Sequence, residues 1–222
     1  MVQPVDSRFP EPVQEIWATI WSDVTWLHGR WQIYRQLFGI SKARIDLFNE
    51  TASTVASILH DVLLRDVQIA ICKLGDSAKS GRSKNLTLRR LQSELRDAGE
   101  IDVADQMGPL LDTFETASKA VRDRRNKWIA HSDLDTLLEA RTKPLHGPSR
   151  QEIETILTAL RDVMHCVEDK YTGGTTAHER LVMNHTGEHV INAFARAKRY
   201  EELVKEGRIP RDDFRRRFPS GL

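Results

Sequence analysis

The sequence predicts an all-α protein, a bundle of four or five main helices followed by a C-terminal helical appendage. Three observations carry that expectation. Apolar residues recur at threes and fours through most of the chain, no alternating run of the kind that builds a sheet occurs, and the helical stretches are parted by clusters of Gly, Pro and Ser. With 222 residues, 40% of them apolar, the chain is long enough to bury one sizeable core. It divides into a bundle over residues 1–171 and a basic helical tail over residues 172–222.

The first expected helix covers residues 11–38. Val13, Ile16, Trp17, Ile20, Val24, Leu27, Trp31, Tyr34, Leu37 and Phe38 form its stripe, Gly29 is a candidate kink, and Gly39 is a C-terminal cap. Trp17, Trp21, Trp26 and Trp31 all lie on it, which predicts a heavily buried face, either bundle core or a contact between two chains. A second helix over residues 43–74, with a break at Asn49 or Thr51, pairs with the first as a hairpin. Residues 75–85, rich in Gly, Ser and Lys, read as a polar loop. A helix over residues 87–98 follows, and then residues 102–130, where Gly108-Pro109 predicts a boundary between a short helix and a long one. Ser149 with Glu152 is a capping box that opens a helix running to about residue 171. Residues 172–176 are a turn, and the segment beyond them is helix-prone and basic.

The 33 basic and 32 acidic residues nearly cancel, so no global positive field for nucleic acid or an acidic membrane exists, and any such contact must be local. Cys72 and Cys166, far apart in apolar surroundings, fit a reducing compartment rather than a disulfide or a zinc site. Acids and prolines occupy the first twelve residues, where a signal peptide needs a basic start and an apolar run. No run of about 18 apolar residues occurs, so the expected location is cytoplasmic, without a membrane partner. No cofactor and no metal are expected. His185 and His189 have the spacing of helical ligands and lie near His178, Glu179 and Glu188, but the Glu of a His-Glu-x-x-His motif is missing, and a solvated face accounts for them.

The chemically suggestive segment is Arg124-Arg125-Asn126-Lys127-Trp128-Ile129-Ala130-His131, in a stretch where Arg122, Arg124, Arg125 and Lys127 concentrate positive charge. Arg125-Asn126, then four residues, then His131 resembles the hallmark of the HEPN superfamily of helical bundles, in the branch named after the abortive-infection protein AbiU. The resemblance extends to the segments Trp31-Gln32-Ile33-Tyr34-Arg35-Gln36-Leu37-Phe38, Arg65-Asp66-Val67 through Lys73-Leu74-Gly75-Asp76, and Asn85-Leu86-Thr87-Leu88, in order and spacing, and covers roughly residues 31–171.

That resemblance implies a HEPN-type bundle and a metal-independent ribonuclease, often a toxin in antiviral defence. It would act as a homodimer with two motifs facing each other and with an antitoxin or other protein partner. RNA carries its own nucleophile, the 2′-hydroxyl, so the protein needs a proton-moving group and a cation for the phosphate. His131 has the pKa for the first role, Arg125 the planar fork for the second, and Asn126 can position phosphate or imidazole. Arg124, Lys127, Asp133 and Asp76 are supporting candidates. A straight helix puts Arg124 and Lys127 on the face of His131 and Arg125 about a third of a turn away, whereas the family pattern selects Arg125. Lys79, Arg82, Lys84, Arg89 and Arg90 form a basic loop and helix start, of which Lys84, Arg89 and Arg90 are candidate RNA contacts and otherwise a solvated surface. The alternative is an inactive HEPN-like scaffold that binds a protein partner or nucleic acid, with Trp128 to Ala130 as core and His131 hydrogen-bonded near a helix end.

Overall fold

The computed structural model describes residues 5–126 and 147–214. Helix α1 (Glu11–Tyr34) runs through Gly29 and ends in a π-helical turn, Arg35–Gly39. Helices α2 (Lys42–Thr51) and α3 (Ser53–Gly75) are parted at Ala52, whose φ of −155° and ψ of 46° leave the helical region, one residue past the expected Thr51. Two short strands follow, β1 (Lys79–Ser80) and β2 (Ser83–Lys84), an antiparallel hairpin turning at Gly81 with φ +59°. The sequence reads there as plain loop, because two residues per strand are too few to show alternation. Then come α4 (Leu88–Asp97), α5 (Ile101–Ala117), α6 (Lys119–Arg124), α7 (Arg150–Thr172), a 3₁₀ turn at His178–Arg180, and α8 (Gly187–Lys205). Among the described residues no helix is long and apolar enough to cross a membrane.

The chain forms two units. The first holds the chain up to Trp31 together with Leu63–Val182. Its centre is α7, where Ile153, Ile156, Leu157, Leu160, Val163, Met164 and Val167 are all buried on one stripe against α5. Ser149 accepts from the Glu152 amide at 3.1 Å while the Glu152 carboxylate accepts from the Ser149 amide at 2.6 Å, so the predicted capping box forms, and Gly173 (φ +67°) ends the helix at the expected turn. From α1, Trp17 and Trp31 are in the core, Trp21 is half-buried, and Trp26 is exposed. Nine residues separate Trp26 from Trp17, about half a turn around the helix, so a single buried face cannot take all four.

Helix α5 departs from expectation by running through Gly108-Pro109. Gly108 has no Cβ to meet the proline ring, and an added Cβ would come only within 3.7 Å of Gln92 Nε2. Gln92 of α4 in turn donates to the Ala104 carbonyl at 2.8 Å, so α4 splints α5 beside the proline. The break falls instead at buried Ser118.

A strap leads away from α7. Glu168, 5% exposed, accepts from the Thr176 amide (2.5 Å) and hydroxyl (2.6 Å), and His165 meets the Thr176 carbonyl at 3.1 Å. His178 Nδ1 lies 2.9 Å from Thr25 Oγ1, with its ring stacked on that of His28 at 5.9 Å. Burial first holds both imidazoles neutral, aided at His28 by the charges of His178, Arg161 and His165, and at His178 by those of His165 and Arg161 against Glu179. The His28 pKa falls to about 3, and that of His178, beside His165, to about 4.

In the second unit, Gln32–Val62 with the chain from Met183 onward, Phe48 packs edge-on to Phe194 at 5.4 Å. Arg44 forks onto Glu188 at 2.7 and 2.8 Å. Gly187 is required, since a Cβ there would stand 2.8 Å from that of Gln36. Helix α8 therefore docks on α2 and the π turn, and His189 Nδ1 accepts from the Thr186 amide at its start (3.2 Å). Within α3, Val55, Ile58, Leu59 and Val62 form an exposed apolar stripe.

Two outcomes test this packing. Pro109→Ala restores a hydrogen bond inside a continuous helix and should raise stability by about 1 kcal/mol or more in thermal melts; a helix boundary at this position would give no gain. As pH falls from about 6.5 toward 4, the unfolded chain takes up protons that folded His28 and His178 refuse, so stability should drop by about 1.4 kcal/mol per pH unit for each. His178→Gln should remove its share of that slope in denaturant titrations.

Candidate functional site

The end of α3, the end of α5 and α6 converge in the first unit. Gly75 closes α3 where an added Cβ would press to 3.1 Å on the Phe114 ring of α5, so glycine suits this close approach of the two helices. Arg122 of α6 donates to the Glu115 carbonyl at 2.8 Å and to the Gly75 carbonyl at 3.3 Å, fixing both helix ends with one guanidinium. The residue after Gly75 is Asp76. It is thereby held beside Arg125, whose Nη1 reaches both of its oxygens at 2.9 and 2.7 Å.

The Arg125 side chain keeps 22% of its surface exposed and that of Asp76 36%, so the pair sits at the surface with one side to solvent. Its hydrogen bond to Asp76 raises the Arg125 pKa further and keeps the guanidinium charged. Arg125 Nε donates to the Asn126 side-chain oxygen at 3.1 Å, leaving Nη2 without a partner among the described residues. Beneath lies Cys72, fully buried, its thiol pushed up to about 11 by burial, which makes it packing rather than a nucleophile.

Arg124 points elsewhere: a Cβ at Gly147 would stand 3.4 Å from its Nη1. The two adjacent arginines therefore serve different neighbours, and the one with a carboxylate anchor is Arg125. Lys127, His131 and Asp133 lie outside the described residues.

The basic candidates divide. Arg89 gives Nε to Glu115 at 2.6 Å and Nη2 to Asp112 at 2.5 Å, and Arg90 pairs with Glu94, so both stitch α4 to carboxylates of α5 or of α4 itself. Lys84 stands exposed on β2 and lines an open groove of about 640 Å³ that also takes in Arg30, Asp66, Lys73 and Asp76. Neither Lys73 nor Arg30, which pairs with Asp66 at 2.8 Å, stood out as a binding group from sequence. Lys73 had one available signal, a charge breaking the apolar run of α3. The tie between Arg30 and Asp66 spans thirty-six positions and had none.

The architecture is an all-α bundle of the HEPN type, with a polar motif at the end of a short helix. The chain belongs to the AbiU2 family of HEPN proteins, whose family model matches residues 11–192. No curated protein and no solved structure matches it.

Gly75→Ala should cost about 1–3 kcal/mol by driving a methyl group into Phe114, measured by chemical denaturation. An unchanged midpoint would mean that the α3 end is not held by this contact.

Proposed function

We propose that this protein is a metal-independent endoribonuclease of HEPN type, in a defence or toxin-like role, with Arg125, Asn126 and His131 at the reacting phosphate. The observation that carries the reading is the Arg125–Asp76 pair, a guanidinium anchored through Nη1, with Nη2 unpartnered among the described residues, in a chain of the AbiU2 family. The step is an internal transfer. His131 takes the 2′-hydroxyl proton, the 2′-oxygen bonds to phosphorus, the bond to the 5′-oxygen breaks, and that oxygen receives a proton. The products are a 2′,3′-cyclic phosphate and a 5′-hydroxyl. Arg125 stabilises the charge on the non-bridging oxygens, Asn126 orients the phosphate or imidazole, and Asp76 is a positioning residue that holds Arg125.

The reading includes a homodimer. Val55, Ile58, Leu59 and Val62 are spaced the same in either direction along α3, so an antiparallel contact between two copies about a two-fold axis buries all four.

The test is cleavage of labelled single-stranded RNA and transfer RNA in EDTA. Wild type should cut, leaving cyclic phosphate ends. Arg125→Ala should lose about 10²–10³-fold and His131→Ala about 10²–10⁴-fold. Asp76→Ala should lower kcat with KM little changed, and Asp76→Glu should recover most of it. A folded, dimeric wild type that cuts neither RNA would make the protein a binding scaffold instead.

A further inference from the structure

The groove beside the Arg125–Asp76 pair has three walls: Asp23 and Arg30 from α1, the exposed face of α3 around Ile69 and Lys73, and the hairpin arm with Lys84 and Leu86. Its volume of about 640 Å³ falls within the range of about 300–1,000 Å³ typical of sites for small organic groups. Being partly open to solvent, it can admit a segment of a chain as well as a small molecule.

The charge on its walls is asymmetric once pairing is considered. Asp66 is tied to Arg30 at 2.8 Å and Asp76 to Arg125 at 2.7 Å, so two of the three carboxylates are already neutralised. Lys73 and Lys84 are exposed and carry no ion pair among the described residues. The hairpin adds Lys79, which stands directly across the ladder from Lys84. Cross-strand partners project from the same face, and like charges opposite each other repel. Two rungs of ladder, Lys79↔Lys84 and Ser80↔Ser83, offer little to offset that repulsion, whereas a bound anion removes it. Exposed Leu86 and half-buried Ile69 add apolar surface for a base, and the Arg30–Asp66 pair offers both donors and acceptors.

We infer that this groove is a binding track for single-stranded RNA, with Lys73, Lys79 and Lys84 on backbone phosphates, leading along the hairpin to the phosphate at Arg125. Asp76 fixes the geometry, since it both lines the groove and holds Arg125. The inference rests on RNA being the ligand of the motif, but it concerns binding and not cleavage. It also moves the phosphate contacts from the helix start, where Arg89 and Arg90 hold carboxylates, to the hairpin and α3.

The experiment is fluorescence anisotropy of a labelled ten-nucleotide RNA with the full chain carrying His131→Ala. Lys73→Glu with Lys84→Glu should weaken binding at least tenfold and reduce the slope of log Kd against log salt by about two. Lys170→Glu, an exposed lysine on α7, should do neither, and all three proteins should melt alike. Equal binding by the double variant and its parent would overturn the inference, as would a glutamate peptide that displaces the RNA at equal concentration, since the groove would then take an acidic protein segment. Cleavage by the wild-type motif is scored separately. RNA held in the groove but never cut leaves the track standing and removes the nuclease; RNA cut at full rate by the doubly charge-reversed chain with intact His131 does the reverse.

Discussion

The pairing of α5 with α7 is the constraint on which the first unit depends. Helix α7 presents an unbroken buried stripe from Ile153 to Val167, and α5 answers it with Val103, Met107, Leu111 and Phe114. Burial on this scale is the main favourable term in folding, at about 25 cal/mol per Å² of apolar surface. Everything nearer the candidate site is referred to this pair. Helix α4 is splinted to α5 by Gln92, Arg89 and the leucines Leu88, Leu91 and Leu95, and α6 leaves α5 through buried Ser118.

From that frame the site follows by contact. Phe114, buried on α5, also stands against Gly75, so the same ring that packs α5 meets the end of α3. Arg122 closes the junction through two carbonyls, and Asp76 comes out beside Arg125. Arg122, Arg124 and Arg125 are thus three different things despite being neighbours in a basic run: a bridge between helix ends, a side chain turned to Gly147, and the anchored guanidinium of the motif. An exposed ion pair contributes only about 0–1 kcal/mol, so the Arg125–Asp76 contact matters through the orientation it imposes rather than through stability.

Much of the fold was legible because it is periodic or capped. The α1 and α7 stripes, the Ser149–Glu152 box, the turn at Gly173 and the break near Thr51 all arise from local geometry, which neighbouring residues encode. Proline misled, because its local cost is real but was overridden by packing of α4 against α5 and by the glycine before it. The tryptophans misled for a related reason: their number suggests burial, but their angular positions on α1 decide it, and Trp26 falls on the outer face.

The sequence by itself determined the helical class, most helix limits, the membership implied by Arg125-Asn126 and His131, and the lack of a global charge on which nucleic-acid binding would depend. Only tertiary structure decided which cations are spent and which are open. Arg89 and Arg90 are consumed by Glu115, Asp112 and Glu94, while Lys73 and Lys84 remain exposed beside the groove. The physical reason is range. Helix periodicity and capping act over three or four residues, whereas the neutralisation of a charge depends on whichever carboxylate the fold brings to within a few ångströms, and for Arg125 that carboxylate lies forty-nine positions away.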